Sequence, residues 1–106
     1  MRPDPNFPLI MKIRNIVHKG LKRLFVQGDP RGVPAHAVKK LNNMLGFLQD
    51  MESLDELKAL PMWKVHQMKG DRKGTWSLSV TRNWRLTFRY DPEENEIYDL
   101  DFEDYH

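Results

Sequence analysis

The chain reads as an α+β domain, with helices at the front packed on one face of an antiparallel sheet at the back. Two observations predict this. Apolar residues recur at helical spacing between His18 and Leu60, and from Trp63 onward the period changes from 3.6 to 2. The order also matters: helices come first and strands follow in a run, which favours a segregated layout over alternating βαβ units. With 106 residues, there is room for one domain and one modest core.

Each element follows from local pattern. Residues 1–10 carry Pro3, Pro5 and Pro8 and are assigned as an N-terminal extension, with the domain running over 11–106. Lys12 to Ile16 alternates and is expected to form a short first strand. His18 to Gln27 is expected to be a helix, with Leu21, Leu24 and Phe25 as its apolar stripe and Gly28 as its stop. Asp29-Pro30-Arg31-Gly32 is a turn, and Pro34 suits the first turn of the next helix. In that helix Ala37, Leu41, Met44, Leu45 and Leu48 fall on one face. Ser53 and Glu56 have the spacing of a capping box, starting a short helix with Leu54, Leu57 and Leu60 that Pro61 ends. Trp63 to His66 then reads as a strand, and Gly70 to Gly74 as a loop. Next come Trp76-Leu78-Val80 and Trp84-Leu86-Phe88-Tyr90, each alternating with polar residues. A turn at Asp91-Pro92 leads to Tyr98-Leu100-Phe102, alternating with Asp99, Asp101 and Glu103.

Composition excludes several function classes. There is no cysteine, so disulfides and thiolate metal sites are ruled out, and a reducing cytoplasm fits. No apolar run is long enough to span a bilayer, and no signal-peptide core is visible. A membrane is therefore not an expected partner. The net charge is only +2, which permits RNA binding without demanding it. No glycine-rich phosphate loop or nucleophile elbow is present, so nucleotide hydrolysis and serine chemistry have no support. Glu103, Asp104 and His106 do not have a recognised ligand spacing, so no metal or other cofactor is expected.

Two separated segments hold a chemically coherent set. One runs from His66 through Lys69 to Arg72 and continues to Arg85; the other is Asp104-Tyr105-His106. Cleaving RNA without a metal requires a base for the 2′-hydroxyl, an acid for the leaving 5′-oxygen and cations for the phosphorane. Histidine serves either proton role, and lysine and arginine hold phosphate. Each residue also has a plainer explanation. His66 and Lys69 can be solvated polar groups beside a loop. Arg85 and Arg89 can pair across strands with Asp99 or Asp101, and the terminal tripeptide can be a tail. Lys19, Lys22 and Arg23 line one helix face as candidate RNA or ribosome contacts, with Arg72 added from the loop; an ordinary solvated face is the alternative.

The ordered set of segments resembles the HigB-type toxins of the RelE superfamily, from bacterial type II toxin–antitoxin modules. It comprises His18-Lys19-Gly20-Leu21-Lys22, Leu24-Phe25, Gly32-Val33-Pro34-Ala35, Leu41-Asn42, His66 through Arg72, Gly74, Trp76-Ser77, Asn83-Trp84-Arg85, Thr87-Phe88 and Glu103 to His106. The resemblance runs from about Met11 to the last residue. It implies a RelE-like compact fold with a curled sheet, and a ribosome-dependent mRNA endonuclease working in the A site by 2′-hydroxyl attack. It implies His66, Lys69, Arg85, Asp104, Tyr105 and His106 as catalytic residues. It also implies a HigA-type helix-turn-helix antitoxin as partner, with operator DNA reached only through that antitoxin. Residues 1–10 and the turn at Pro92 to Glu96 depart from the family's usual lengths. The competing readings are a non-catalytic RNA- or ribosome-binding module that pairs with an antitoxin, and a degenerate toxin kept as a regulator.

Overall fold

The computed structural model describes residues 12–104, so Tyr105 and His106 and the 1–10 extension lie outside the described residues. The fold is α+β, as the change of period predicts. Three helices, α1 (Lys19–Gln27), α2 (Val38–Asp50) and α3 (Asp55–Lys58), precede a four-stranded antiparallel meander. Its strands are β1 (His66–Gln67), β2 (Thr75–Ser79), β3 (Trp84–Asp91) and β4 (Glu96–Asp104), ordered β1-β2-β3-β4 across the sheet.

Helix α1 starts where the sequence places it, and the cap is explicit. His18 Nδ1 accepts the Leu21 amide at 3.0 Å, meeting one of the donors a helix start leaves unpaired. At the other end Gly28 takes a left-handed φ of 73°, and its amide reaches back to Leu24. Leu21, Leu24, Ala37, Leu41, Met44, Leu45 and Leu48 form one buried cluster with Leu78, Leu86, Phe88, Leu100 and Phe102 of the sheet. Both amphipathic helices thus deliver their predicted stripes to the apolar side of the strands.

Four local expectations change. The segment 12–16 is not a ladder strand. It runs parallel to β4 through isolated bridges of Ile13 with Ile97 and Ile16 with Leu100, and these bonds occupy the outer edge of β4. The Ser53–Glu56 capping box is shifted: Ser53 Oγ accepts from the Asp55 amide and Glu56 accepts from the Glu52 amide, so the two do not cap each other. Trp63 closes a 3-10 turn and Lys64 takes a left-handed φ of 49°, which leaves β1 only His66 and Gln67.

The fourth change redirects side chains. Thr87 pairs with Asp101, but Arg89 pairs with Tyr98, so β4 holds one extra residue between them. Asp99 has the φ of +53° that such a bulge requires, and Asn15 brackets it with two side-chain hydrogen bonds. Alternation therefore breaks. Ile97, Leu100 and Phe102 face the core, whereas the expected core residue Tyr98 turns to the other face, where its hydroxyl accepts from Arg89 Nε at 3.3 Å.

Candidate active site

The face of the sheet away from the helices is polar, yet it is not simply wet. Ser77 and Thr87 are 1% and 3% exposed. Register explains why they meet: His66 pairs with Ser77, Ser77 with Thr87 and Thr87 with Asp101, so these four share one face across all strands. In the next row Ser79, Arg85 and Glu103 are aligned in the same way.

A cleft of about 330 Å³ opens on this face. Met68, Arg72, Ser77, Arg85, Thr87, Glu103 and Asp104 line it. Two guanidinium groups converge there from different elements. Arg72 comes from the loop after β1, where a 3-10 turn over Gly70–Arg72 projects it back over the sheet. Its Nη1 and Nη2 fork onto Glu103 at 2.8 and 2.6 Å. The Thr87 hydroxyl donates to the same carboxylate. Arg85 comes from β3, and its Nη1 donates to Ser79 Oγ and the Thr81 carbonyl, each at 3.2 Å. Both arginine heads are thereby held in place: the Arg72 fork is occupied by Glu103, and the Arg85 head is fixed at the cleft, where a guanidinium suits recognition of an oxyanion.

The electrostatics follow from these contacts. The Arg72 fork holds the Glu103 carboxyl below its ordinary range, with the Thr87 hydroxyl adding to the effect against the opposing cost of burial. Glu103 in turn pushes Arg72 upward, so the pair stays fully ionised near neutrality.

Arg85, Arg72 and Asp104 line the cleft, and Asp104 ends β4 opposite Trp84. His66 is exposed beside the cleft, paired in register with Ser77, and its Nδ1 lies 3.2 Å from the Lys64 carbonyl. Lys69 is exposed one residue from the lining Met68. Lys19, Lys22 and Arg23 are exposed on the outer face of α1, around a separate shallow depression with Val26 and Gln27. The structure does not bring them to the cleft. Among the described residues no group of three or more histidine and carboxylate side chains is placed to hold a metal ion. No helix is long and apolar enough to cross a membrane.

Sequence reasoning missed Glu103, Thr87 and Ser77 as members of the site. The alternation around Trp76 and Trp84 puts Ser77, Arg85 and Thr87 on one face, but only strand register reveals that Glu103 stands beside them.

A family model described as the RelE-like toxin of type II toxin–antitoxin system HigB matches residues 14–106. The chain belongs to this HigB-like toxin family. Endoribonuclease HigB of Proteus vulgaris is 42% identical over 94 residues, covering 89% of this chain and 99% of that protein. The YoeB/ParE toxin from Agrobacterium tumefaciens is 23% identical, with a TM-score of 0.43 over 72% of this chain and 81% of that one. As a HigB-like toxin of a type II system, the chain has an antitoxin partner. The matched span covers every cleft residue, including the Arg72–Glu103 pair.

Proposed function

We propose that this HigB-like chain is an endoribonuclease that cuts mRNA on translating ribosomes in the cytoplasm and so inhibits translation. The observation that carries the reading is the convergence of Arg72 and Arg85 in one polar cleft that Asp104 also lines. The Arg85 guanidinium offers positive charge to a phosphorane, with Arg72 beside it paired to Glu103, and the relative from Proteus vulgaris that is 42% identical is an endoribonuclease by name.

In the proposed reaction the RNA's own 2′-oxygen attacks the adjacent phosphorus as a base removes its proton. The P–O2′ bond forms, the P–O5′ bond breaks, and an acid protonates the departing 5′-oxygen. The products are a 2′,3′-cyclic phosphate and a 5′-hydroxyl, and the reaction uses no metal. His66 and His106 are the candidate base and acid. Lys69 and Arg85 stabilise the phosphorane, Tyr105 assists, and Asp104 orients a neighbouring group. Arg72 binds phosphate beside them. The ribosome's part is positioning: the chain's low net charge gives weak attraction to naked RNA. The antitoxin is a HigA-type helix-turn-helix protein that carries the pair to operator DNA. Lys19, Lys22 and Arg23 contact ribosomal RNA.

The test is cleavage of an mRNA in a purified bacterial translation system, with and without ribosomes, with cut sites mapped by primer extension. Cuts within codons only when ribosomes translate are expected. A folded, antitoxin-free protein that binds ribosomes but cuts nothing would replace this reading with that of a non-catalytic binding module.

A further inference from the structure

Arg72, Thr87 and Glu103 form the wall between the Arg85 cleft and a second one of about 370 Å³ on the same sheet face. From their contacts we infer that these three are positioning residues. Their clamp fastens the loop that carries Lys69 to the strand end that carries Asp104, and so holds the two separated parts of the site at working distance. The inference rests on the endonuclease reading, and adds to it a role for Glu103 and Thr87 and a second one for Arg72.

The loop has little else to fix it. It follows the two-residue strand β1, and Lys69, Asp71 and Lys73 are exposed. The Met68 amide closes its base on the Thr75 carbonyl at 2.8 Å. Beyond that bond the backbone leaves the ladder, and Gly70 and Gly74 take left-handed φ values of 68° and 94°. Among the described residues, Arg72 is the side chain of 69–73 that bonds to the sheet. At the other end of the clamp, Glu103 pairs in register with Arg85 and directly precedes Asp104. Its carboxylate takes both Arg72 Nη groups and the hydroxyl of the buried Thr87. A forked pair fixes orientation as well as distance, and the hydroxyl gives the carboxylate a third fixed partner.

Stability alone is a weak reason for this arrangement. An ion pair whose side chains are 43% and 28% exposed contributes modestly to folding. Charge alone would leave Glu103 out. A carboxylate beside a phosphate site repels the substrate and occupies a fork that could bind it. What the pair supplies is a rigid tie between segments 31 residues apart in sequence. Catalysis is sensitive to that tie, because displacing a reacting group by about 1 Å costs about 10²-fold in rate.

The experiment measures single-turnover cleavage of ribosome-bound mRNA in the purified translation system over a range of concentrations of the full chain. It compares wild type with Glu103→Gln, Glu103→Ala, Arg72→Ala and the Arg72→Ala/Glu103→Ala double variant. Positioning and charge predict opposite signs. On charge alone, removing the carboxylate frees the Arg72 fork and speeds cleavage. The clamp predicts that Glu103→Ala lowers the saturated rate about 10–10²-fold at an unchanged half-saturating concentration, with Glu103→Gln in between. Arg72→Ala should cost less in the Glu103→Ala background than in the wild-type chain, since the two act through each other. A folded Glu103→Ala chain that cuts as fast as wild type or faster overturns the inference while leaving the endonuclease intact. A double variant slowed by the product of the two single effects does the same. Loss of the helical circular dichroism signal in both Glu103 variants assigns the clamp to the fold and also overturns it. A wild-type chain that cuts nothing overturns both readings.

Discussion

Glu103 accepts three hydrogen bonds, two from Arg72 and one from Thr87, and this has a consequence in acid. Its folded-state pKa lies below its ordinary value near 4.5. The unfolded chain therefore takes up the proton first as pH falls. The stabilisation is complete above about 4.5 and is lost as pH drops through the lower, folded-state value. Asp91, lowered by Arg14, and Asp29, lowered to about 2 by Arg31, act with the same sign. Melting temperature should therefore fall on acidification below about 4.5, and Glu103→Gln should show a shallower fall than wild type in a series of thermal melts. Arg85 has a different signature, because its proposed work is in the transition state. Arg85→Ala should lower single-turnover cleavage by about 10²–10³-fold with an unchanged circular dichroism spectrum. Loss of helical signal in that variant would assign Arg85 to the fold. At this scale the sequence showed which groups were available, and the structure places Arg85 and Arg72, named there as candidates, on one cleft. The Glu103 contact was not legible, since 31 residues separate it from Arg72 and only the sheet joins them.

Among the elements, α1 depends on two contacts with different visibility. The His18 cap lies at a helix start that periodicity located, although histidine is not a leading cap residue. Its ring also packs edge-on to Phe102 at 5.5 Å. His18→Ala should cost about 1–2 kcal/mol in urea titration, and His18→Asn should recover the capping part. The second contact is the crossing of α1 with the turn at Pro30–Gly32. A Cβ on Gly20 would stand 2.1 Å from the Gly32 carbonyl oxygen, and one on Gly32 would stand 2.5 Å from the Gly20 Cα. Gly20→Ala should thus destabilise by about 1–3 kcal/mol or more. Gly46, exposed in α2 with open space around its missing Cβ, provides the contrast. Gly46→Ala should stabilise by about 0.5–1 kcal/mol, so the same substitution has opposite signs at the two sites.

For the molecule as a whole, the segment 13–17 matters more than its irregular structure implies. Arg14 and Val17 donate backbone bonds to Ile97 and Leu100, and Ile13 and Ile16 cover the end of the core. The Arg14 guanidinium adds bonds to Asp91 at 2.6 Å and Glu96 at 2.8 Å and lies over the Tyr98 ring. The acidic turn is thereby pinned to the edge of β4 opposite β1. Uncovering that edge would leave a long strand with unpaired backbone groups, a template for association. Deletion of residues 1–10 serves as the reference for a longer deletion in thermal melts and gel filtration. Deleting 1–17 should lower the melting temperature and shift the protein to larger species. An unchanged elution profile for the longer deletion would mean that the edge is protected by other means.

Local information determined the class of fold, because helical and strand periods are properties of neighbours along the chain. It placed α1, α2 and the three long strands, and it named the cations and imidazoles available for chemistry. The tertiary structure decided what depends on register. The bulge at Asp99 reversed the faces of Tyr98 and Ile97 relative to the alternation that runs through Leu100 and Phe102, since one inserted residue moves the side chains on one side of it across a sheet. The same register brought Ser77, Thr87 and Glu103 under the arginines and made two clefts from one polar face. Strand pairing joins residues remote in sequence through hydrogen bonds that carry no side-chain signature. For that reason the site's residue types could be read from the chain, and its geometry could not.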